Sequence, residues 1–563
     1  MRLSGPCAEL FEAFSRVNRA ALRKNALVSC PVLSRAPNYG NILARFVAQE
    51  GGTQGRGPLF FVRAALHYLA ANLGHLAFLA LVRLCTWGAG WRSPLGEKKP
   101  SGGRLVIIDT FAVLPRLLEK GQFTEGYLPG LAEAARKAGN ELVHFYRLYG
   151  SRNPRHLFKA LSILQKNGPG LTEAHLLRSA DWLGLLWHVV RYPFALLALV
   201  RSLADEPAGS PGHAIREALV ETCGQCVVSG EAVRLAARRL GMALPQQQGE
   251  TPCPLILSWF ENQTINRCFY RGLWQAREEG APPFRTIGAQ LLVWPEALLN
   301  NHIDPAEQDL LPDKILVNGP CFLPEKVPET PQMSVGPALR YRALFEAEAL
   351  VNRPAGQGPD RAEKPDREAE CPWEAGAGQK PLLVLLSYHP DETRRVLSLV
   401  RPLAAANPQA VLYKFHPATR MGDFAALLPE NPAVATGSLY AALAGAGAVI
   451  GAGSGALVEA AALGVPTLAC LPAKGAGAGS DAGQGKPELS LNYLPEFGKG
   501  ILWDEVALAA DIPQCLLRLR RMAERDDFRQ IAAEFRSLLF AEPEEALVFS
   551  SFELAPGASP PDR

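Results

Sequence analysis

The chain has 563 residues, of which 48% are hydrophobic and 20% charged, with a formal net charge of +3. That length allows two to four domains, and the balance is that of a globular protein. No basic block stands out, which argues against a nucleic-acid binder driven by bulk charge. Eleven cysteines are scattered without a framework, as suits a reducing cytoplasm.

Residues 1–103 read as a helical region. Met1–Ala48 carries Glu9, Glu12, Arg16, Arg19, Arg23 and Lys24 and lacks the continuous apolar stretch of a signal peptide. Two apolar segments approach the length of a membrane span, Ala64–Val82 and Trp182–Val200. The first contains His67, Asn72 and His75, and the second His188, Arg191 and Pro193, groups that are costly in hydrocarbon. Arg63, Arg83, Arg92, Lys98 and Lys99 flank the first segment. Spanning helices, helices lying in the interface and plain core helices all fit. The interfacial reading accommodates both the polar interruptions and the basic flanks, so a membrane surface is an expected partner.

Arg104–Asp109 is a short β-branched run preceded by glycines, a buried parallel strand that ends in an acid. A helix over Gly126–Gly139 follows, then a strand over Glu141–Tyr146 and one long helix over Gly212–Gly241. Cys223 and Cys226 fall within that helix; without a second pair at zinc spacing, this C-x-x-C reads as two helical turns. Pro254–Trp259 is a third strand, followed by Glu261, Asn262, Gln263 and a helix through Trp274. Strands over Ala289–Trp294 and Lys314–Asn318 complete an alternating series, which argues for a parallel sheet covered on both faces. Pro, Gly and charged residues then dominate 351–380, the composition of a flexible connection.

A second series follows, with strands at Leu382–Ser387, Ala410–Phe415, Ala433–Thr436, Ala448–Gly451 and Thr467–Leu471. A last strand is expected near Gly500–Trp503. Helices are predicted over Glu392–Ala406, Leu439–Ala444, Ala456–Leu463, Pro513–Arg525 and Phe528–Leu539. Ala473–Lys486 is a low-complexity loop. The expected organisation is a helical region over 1–103, a Rossmann-like domain over 104–350, the linker over 351–380, a second Rossmann-like domain over 381–548 and a disordered tail over 549–563. Two such αβα halves suggest an enzyme whose active site is the cleft that they face.

The residues that can carry chemistry follow strands. Gly453-Ser454-Gly455 opens a helix, and a strand–glycine loop–helix junction aims free backbone N–H groups and a positive dipole end at one point, which suits a phosphate. Glu459 lies a turn further, where a carboxylate can accept both hydroxyls of a ribose. A tight turn with Glu459 on the surface accounts for the same residues. Lys414 and His416 sit at the end of one strand and His389 at the end of another; both histidines precede a proline. Ligands of open α/β sheets bind at the carboxyl ends of strands. A histidine and a lysine there can neutralise phosphate charge without a metal. A carboxylate after a strand is a candidate general base. Glu261, directly after a strand, is the first candidate; Asp109 is the alternative, and Asn262 and Gln263 beside Glu261 can hold hydroxyls. Helix capping is the plain alternative for each acid.

These residues resemble a family. Gly453-Ser-Gly-Ala-Leu-Val-Glu459, running on to Gly464-Val-Pro466, is similar to the donor-binding motif of GT-B glycosyltransferases, including the bacterial N-acetylglucosaminyltransferase that completes lipid II. There the matching glutamate holds the ribose, which implies that role for Glu459. Lys414-Phe-His416-Pro417 resembles the His-Pro motif of bacterial sialyltransferases, polysialyltransferases, Kdo transferases and CDP-glycerol glycerophosphotransferases. In those a histidine contacts the donor phosphate and a downstream serine motif completes the site, implying His416 and Ser454. The chain has a single serine where that second group has paired serines or threonines. Trp259–Gln263 more faintly resembles bacterial surface-carbohydrate biosynthesis proteins.

The resemblance implies a GT-B-like α/β fold and metal-independent transfer from a nucleotide-activated sugar, a substrate rather than a cofactor, to a glycan or lipid-linked acceptor, whose hydroxyls Asn262 and Gln263 would then hold. It places the protein in capsule or O-antigen assembly, cytoplasmic and peripheral to the inner membrane. A CDP-polyol phosphotransferase on the same fold and a non-catalytic membrane-associated assembly protein are the alternatives.

Overall fold

The computed structural model describes residues 5–22, 27–35, 42–43, 46–47, 57–91, 94–95, 103–246, 252–295, 300–325, 329–351, 380–417, 419–471 and 492–554. The chain forms two compact units. The first comprises 1–291, 298–340 and 543–563; the second comprises 292–297 and 341–542.

The first unit contains helices α1 (Gly5–Leu22), α2 (Pro58–Gly88), α3 (Leu114–Lys120), α4 (Leu131–Lys137), α5 (Pro154–Lys166) and α6 (Glu173–Leu176), followed by α7 (Ser179–Ser202), α8 (Pro211–Glu221), α9 (Val228–Met242) and α10 (Thr264–Glu278). Its strands are β1 (Leu105–Val113), β2 (Glu141–Tyr149), β3 (Gly170–Thr172), β4 (Leu255–Phe260), β5 (Arg285–Gln290), β6 (Lys314–Val317) and β7 (Gln332–Val335). They form one sheet in the order β3-β2-β1-β4-β5-β6-β7, and every pairing is parallel. The run Leu105-Val106-Ile107-Ile108 lies at the middle of this sheet and is buried, as expected of a parallel strand covered on both faces. Helices α9 and α10 approach closely because Gly272 has no side chain: a Cβ there would fall 2.1 Å from the Arg234 carbonyl oxygen.

The helical N-terminus belongs to this unit and is not a separate domain. Glu307 is buried and receives hydrogen bonds from Asn18 of α1 at 2.6 Å, Arg35 at 2.6 Å and Arg267 at 3.1 Å. A buried carboxylate needs such partners, so the N-terminal segment is held where they must be supplied.

Several boundaries differ from the sequence expectation. The long helix over Gly212–Gly241 is two helices, α8 and α9, and Cys223 and Cys226 lie in the break between them. Helix α2 stabilises the break: Asn72 Oδ1 accepts from Val227 N and Val228 N, and His67 Nδ1 lies 2.8 Å from the Gly224 carbonyl oxygen. The strand expected at Ala289–Trp294 is β5 at Arg285–Gln290, fixed in part by Asp313 accepting from Thr286 N at 2.9 Å. Gly126–Gly139 is helical only over α4. Strands β3 and β7, of three and four residues, are additional to the sequence reading.

The second unit contains α11 (Arg342–Val351), β8 (Leu382–Leu385), α12 (Pro390–Ala406), β9 (Val411–Lys414), α13 (Leu439–Gly445), β10 (Ala448–Ala452) and α14 (Gly455–Ala462), followed by β11 (Thr467–Cys470), β12 (Trp503–Val506), α15 (Ile512–Ala523) and α16 (Phe528–Leu539). Its parallel sheet has the order β12-β11-β10-β8-β9. Ala433–Thr436 is not a strand of this sheet; it contributes one bridge, Tyr413 to Val434. The expected strand at Gly500–Trp503 begins where that segment ends.

The chain then returns to the first unit through α17 (Glu545–Ser551). Val548, Phe552 and Leu554 join the core formed by Leu128, Leu131, Ala132 and Ala135. Arg104 Nη1 donates to the Glu553 carbonyl at 2.8 Å. The second domain therefore ends before 548, and 549–554 are packed structure where the sequence suggested a disordered tail; burial of Phe552 and Leu554 is the physical reason. The expected linker, apart from Val351 and Lys380, and the loop at 473–486 lie outside the described residues, as do 555–563.

Candidate functional site

In the second unit the strand order places β8 between β9 and β10, so the connection after β8 and the connection after β10 run in opposite directions. That reversal is a topological switch point, and the crevice outside the carboxyl ends of β8 and β10 is where sheets of this kind hold ligands. His389 follows β8 and is the residue before α12. His416 follows β9, and Gly453 and Ser454 follow β10. The three expected loops therefore belong to three adjacent strands.

The histidine loops are tied together. Tyr388 packs against both rings, with centroids 3.8 Å from His389 and 5.5 Å from His416. Thr393 Oγ1 donates to the Ser387 carbonyl oxygen at 2.8 Å, and Thr419 Oγ1 donates to the same oxygen at 3.2 Å. Partial burial and then the charge of His389 hold the His416 imidazole below its ordinary value.

Ser454 is the residue before α14, in extended conformation, and its side chain makes no capping hydrogen bond. A Cβ on Gly455 would meet nothing within 4 Å, so packing within the unit does not itself demand glycine there. Gly451, by contrast, is required by the sheet: its Cβ would fall 2.8 Å from the Leu385 carbonyl oxygen. Glu459 Oε2 accepts a hydrogen bond from the Tyr440 hydroxyl at 2.5 Å, which fixes the carboxylate beside the helix opening. Tyr440 had no sequence signal, because it lies on another helix and meets Glu459 only after folding. Lys414, the last residue of β9, donates from its Nζ to the Gly437 carbonyl oxygen at 2.9 Å.

The expected residues of the first unit are more deeply held. Asp109 lies within β1 and not after it. Arg147 grips both of its carboxylate oxygens, at 2.6 and 2.8 Å, and Ser258 Oγ donates to one at 2.7 Å. Burial alone would lower the Arg147 pKa, but the charge and hydrogen bonds of Asp109 outweigh it and raise it. Asp109 is thus half of a buried ion pair, a partnership invisible in sequence because Arg147 is 38 residues away. Glu261 does follow β4, but its side chain turns inward: it is 1% exposed and accepts from Leu291 N at 2.7 Å.

The amide residues beside Glu261 serve the backbone. Asn262 adopts φ 52°, a left-handed conformation that asparagine tolerates, and its Nδ2 donates to the Asn300 carbonyl at 3.2 Å. Gln263 precedes α10, and its N–H donates to Asn266 Oδ1 at 3.4 Å. Asn300 Nδ2 in turn donates to the Glu261 carbonyl at 2.8 Å. The loop after β4 is therefore a hydrogen-bonded turn facing the interior. Among the described residues, no group of three or more His, Cys, Asp or Glu side chains is placed to hold a metal ion.

No protein-family model and no curated protein matches the sequence. Among solved structures, the chain is similar to the glycotransferase of kitacinnamycin, with 13% identity over 81% of this chain and 98% of that one at a TM-score of 0.40. It is similar also to the glycosyltransferase SnogD from Streptomyces nogalater, with 15% identity over 80% and 100% at a TM-score of 0.35. A third is the UDP-GlcNAc 2-epimerase from Neisseria meningitidis bound to UDP-GlcNAc, with 10% identity over 80% and 99% at a TM-score of 0.37.

Proposed function

We propose that the protein is a glycosyltransferase that moves a sugar from a nucleotide-activated donor to a glycan or lipid-linked acceptor during assembly of a bacterial surface polysaccharide. The observation that carries this reading is that the loops bearing His389, His416 and Ser454 follow three adjacent parallel strands at the β8–β10 switch point. In this reading the N–H groups at the start of α14 and the two imidazoles meet the donor's phosphates. Glu459, fixed by Tyr440, takes the ribose hydroxyls. Fixed dipoles and imidazoles placed where negative charge develops on the departing phosphate supply the electrostatic part of catalysis, and the reading needs no metal. Lys414 reaches the site by exchanging its hydrogen bond to Gly437 for one to phosphate.

A membrane-surface location is part of the proposal. Helices α2 and α7 are both long and apolar enough to cross a membrane, yet only 28% and 33% of their most apolar windows are buried. They pack against each other through Tyr68, whose hydroxyl donates to the Val189 carbonyl at 3.0 Å and whose ring stacks on Tyr192. Their remaining faces expose Leu66, Leu73 and Trp87 from α2 and Leu183, Trp187 and Phe194 from α7. An aromatic-rich apolar face beside basic residues suits an interfacial helix pair. His188 argues against a simple span: it is buried and hydrogen-bonded to Ser29 at 2.9 Å.

The experiment is a thermal-shift screen of nucleotides and nucleotide-sugars with the full chain. A nucleotide at about 100 times its Kd adds roughly 2.7 kcal/mol to stability. One nucleotide class should shift the melt in wild type and fail to do so in His416→Ala. If no nucleotide shifts wild type, the reading fails. Membrane attachment is checked by flotation with anionic vesicles: association that high salt or alkaline carbonate partly reverses is expected, whereas resistance to carbonate means spanning helices.

A further inference from the structure

The first unit contains a cavity of about 510 Å³ that the sequence did not suggest. It lies at the carboxyl ends of β1, β2 and β3. Phe111, Arg147, Tyr149 and Thr172 line it from these strands, and Glu173 from the first turn of α6. Phe78, Leu79 and Val82 line it from α2, the helix whose other face is the exposed apolar surface. One wall is therefore hydrocarbon and the other polar.

The polar wall carries hydrogen-bonding capacity that the described residues do not use. Arg147 is 2% exposed at its side chain; two of its nitrogens bind Asp109, and Nη1 makes no hydrogen bond. His75 also lines the cavity, and its buried Nε2 likewise makes none. Buried donors of this kind are costly unless something else satisfies them. Glu173 stands beside them. Burial raises its carboxyl, the Arg147 charge opposes this and the Asp109 charge adds to it, and the outcome is a value of about 7. The charged or titratable groups on α6 and the elements packed around it include His175 of α6, His75 and Arg83 of α2, His144, Tyr146 and Tyr149 of β2, the Glu231–Arg234 pair of α9, and Arg152 at the rim. Burial, then the Arg152 charge, pushes His75 down to about 4, so it is neutral where Glu173 titrates.

We infer that this cavity is the acceptor site, that it takes an amphiphilic alcohol with a hydroxylated head and an apolar stem, and that the Glu173 carboxylate receives the proton of the reacting hydroxyl. The stem lies along Phe78, Leu79 and Val82; the head meets Arg147 Nη1, His75 and Glu173. The last element rests on the sugar-transfer reading. In that step the hydroxyl proton passes to a Glu173 oxygen and the acceptor oxygen bonds to the anomeric carbon. The bond from that carbon to the donor phosphate oxygen breaks, and its electron pair leaves with the nucleoside phosphate. A carboxyl that titrates near the working pH is well matched to this role. Glu173 takes the place expected for Glu261, whose carboxylate is turned inward to a backbone N–H.

The test uses the full chain and n-octyl β-D-glucopyranoside below its micelle concentration, measured by calorimetry. Wild type should show one saturable site. Ser229→Trp, which fills the cavity from α9, should weaken it by about tenfold or more while keeping its melting temperature; if that variant does not fold, Ile265→Trp fills the cavity from α10. A nucleotide-sugar mixture is then added. Glu173→Gln should lower kcat at least ~100-fold, abolish the rise of rate with pH near 7 and leave donor affinity unchanged. The absence of a saturable site, or equal binding by the filled variants, overturns the cavity assignment. A Glu173→Gln enzyme with wild-type kcat and pH profile overturns its role as proton acceptor. Cavity-dependent binding without transfer from any donor overturns the sugar-transfer reading and the proton step with it, and leaves the amphiphile site standing.

Discussion

The two units follow one plan and use it in opposite ways. Each sheet reverses its strand order beside its first strand, at β1–β4 in one unit and at β8–β10 in the other. In the first unit that position is filled: Phe111, Tyr127 and Trp259 pack ring to ring at 5.1 to 6.2 Å, and Asp109 and Arg147 form a buried pair beneath them. In the second it is lined by Gly453, Ser454 and Gly455 and two partly accessible histidines. Large side chains close a switch point and displace the usable space sideways, here to the cavity over β2 and β3; small ones leave backbone N–H groups exposed to a ligand. The same topology thus gives an aromatic-filled switch point beside a cavity in one unit and a glycine-lined strand–helix junction in the other.

The contrast can be broken first at its most rigid point. Arg147→Met strands the Asp109 charge inside the first unit and should cost roughly 3–5 kcal/mol, read as a lowered urea midpoint. A loss below about 1 kcal/mol would mean that the pair is solvated and that the first unit's crevice is open after all.

Glu173 gives the next largest effect, and its sign is informative. A carboxyl raised in the folded state lowers stability as pH climbs from the unfolded value, about 4.3, through about 7. Glu173→Gln should therefore stabilise the protein above pH 7, by an amount on the order of 3 kcal/mol at most, with about 1 kcal/mol of that present at pH 5 and little effect at pH 4. Equal stability of the two proteins at pH 5 and pH 8 would remove the pH-sensitive acid from the pocket.

In the second unit the effects should fall on ligand affinity and not on folding. His416→Ala should weaken nucleotide binding by roughly 10- to 100-fold, the range of one or two charge-assisted hydrogen bonds, with an unchanged melting temperature in the absence of ligand. A variant that loses stability instead would assign His416 to the packing of Tyr388. The smallest effect belongs to Tyr440→Phe, which removes one hydrogen bond to Glu459. It should reduce nucleotide affinity by about fivefold, near 1 kcal/mol, and Glu459→Ala should exceed it. If Tyr440→Phe matches Glu459→Ala, the tyrosine itself contacts the ligand.

Much of the architecture was readable without coordinates. The apolar runs Leu105–Ile108, Leu382–Leu385 and Thr467–Cys470 announce buried parallel strands, because a strand covered on both faces needs side chains of one kind throughout. The glycine-rich opening of α14 and the His-Pro turns after β8 and β9 are local chemistry, encoded within a few residues of each other. The remaining features depend on partners distant in the chain. Whether Asp109 faces a ligand or an arginine depends on Arg147, and whether Glu261 points out or in depends on the Leu291 N–H. Whether Phe552 and Leu554 form a loose tail or core depends on Leu128 and Leu131. The cavity at Glu173 required helix α2, strand β3 and Arg147 together, and β3 is too short for any periodicity to reveal. Local conformation follows from neighbours in sequence; burial, and with it the charge and availability of an acid, follows from neighbours in space.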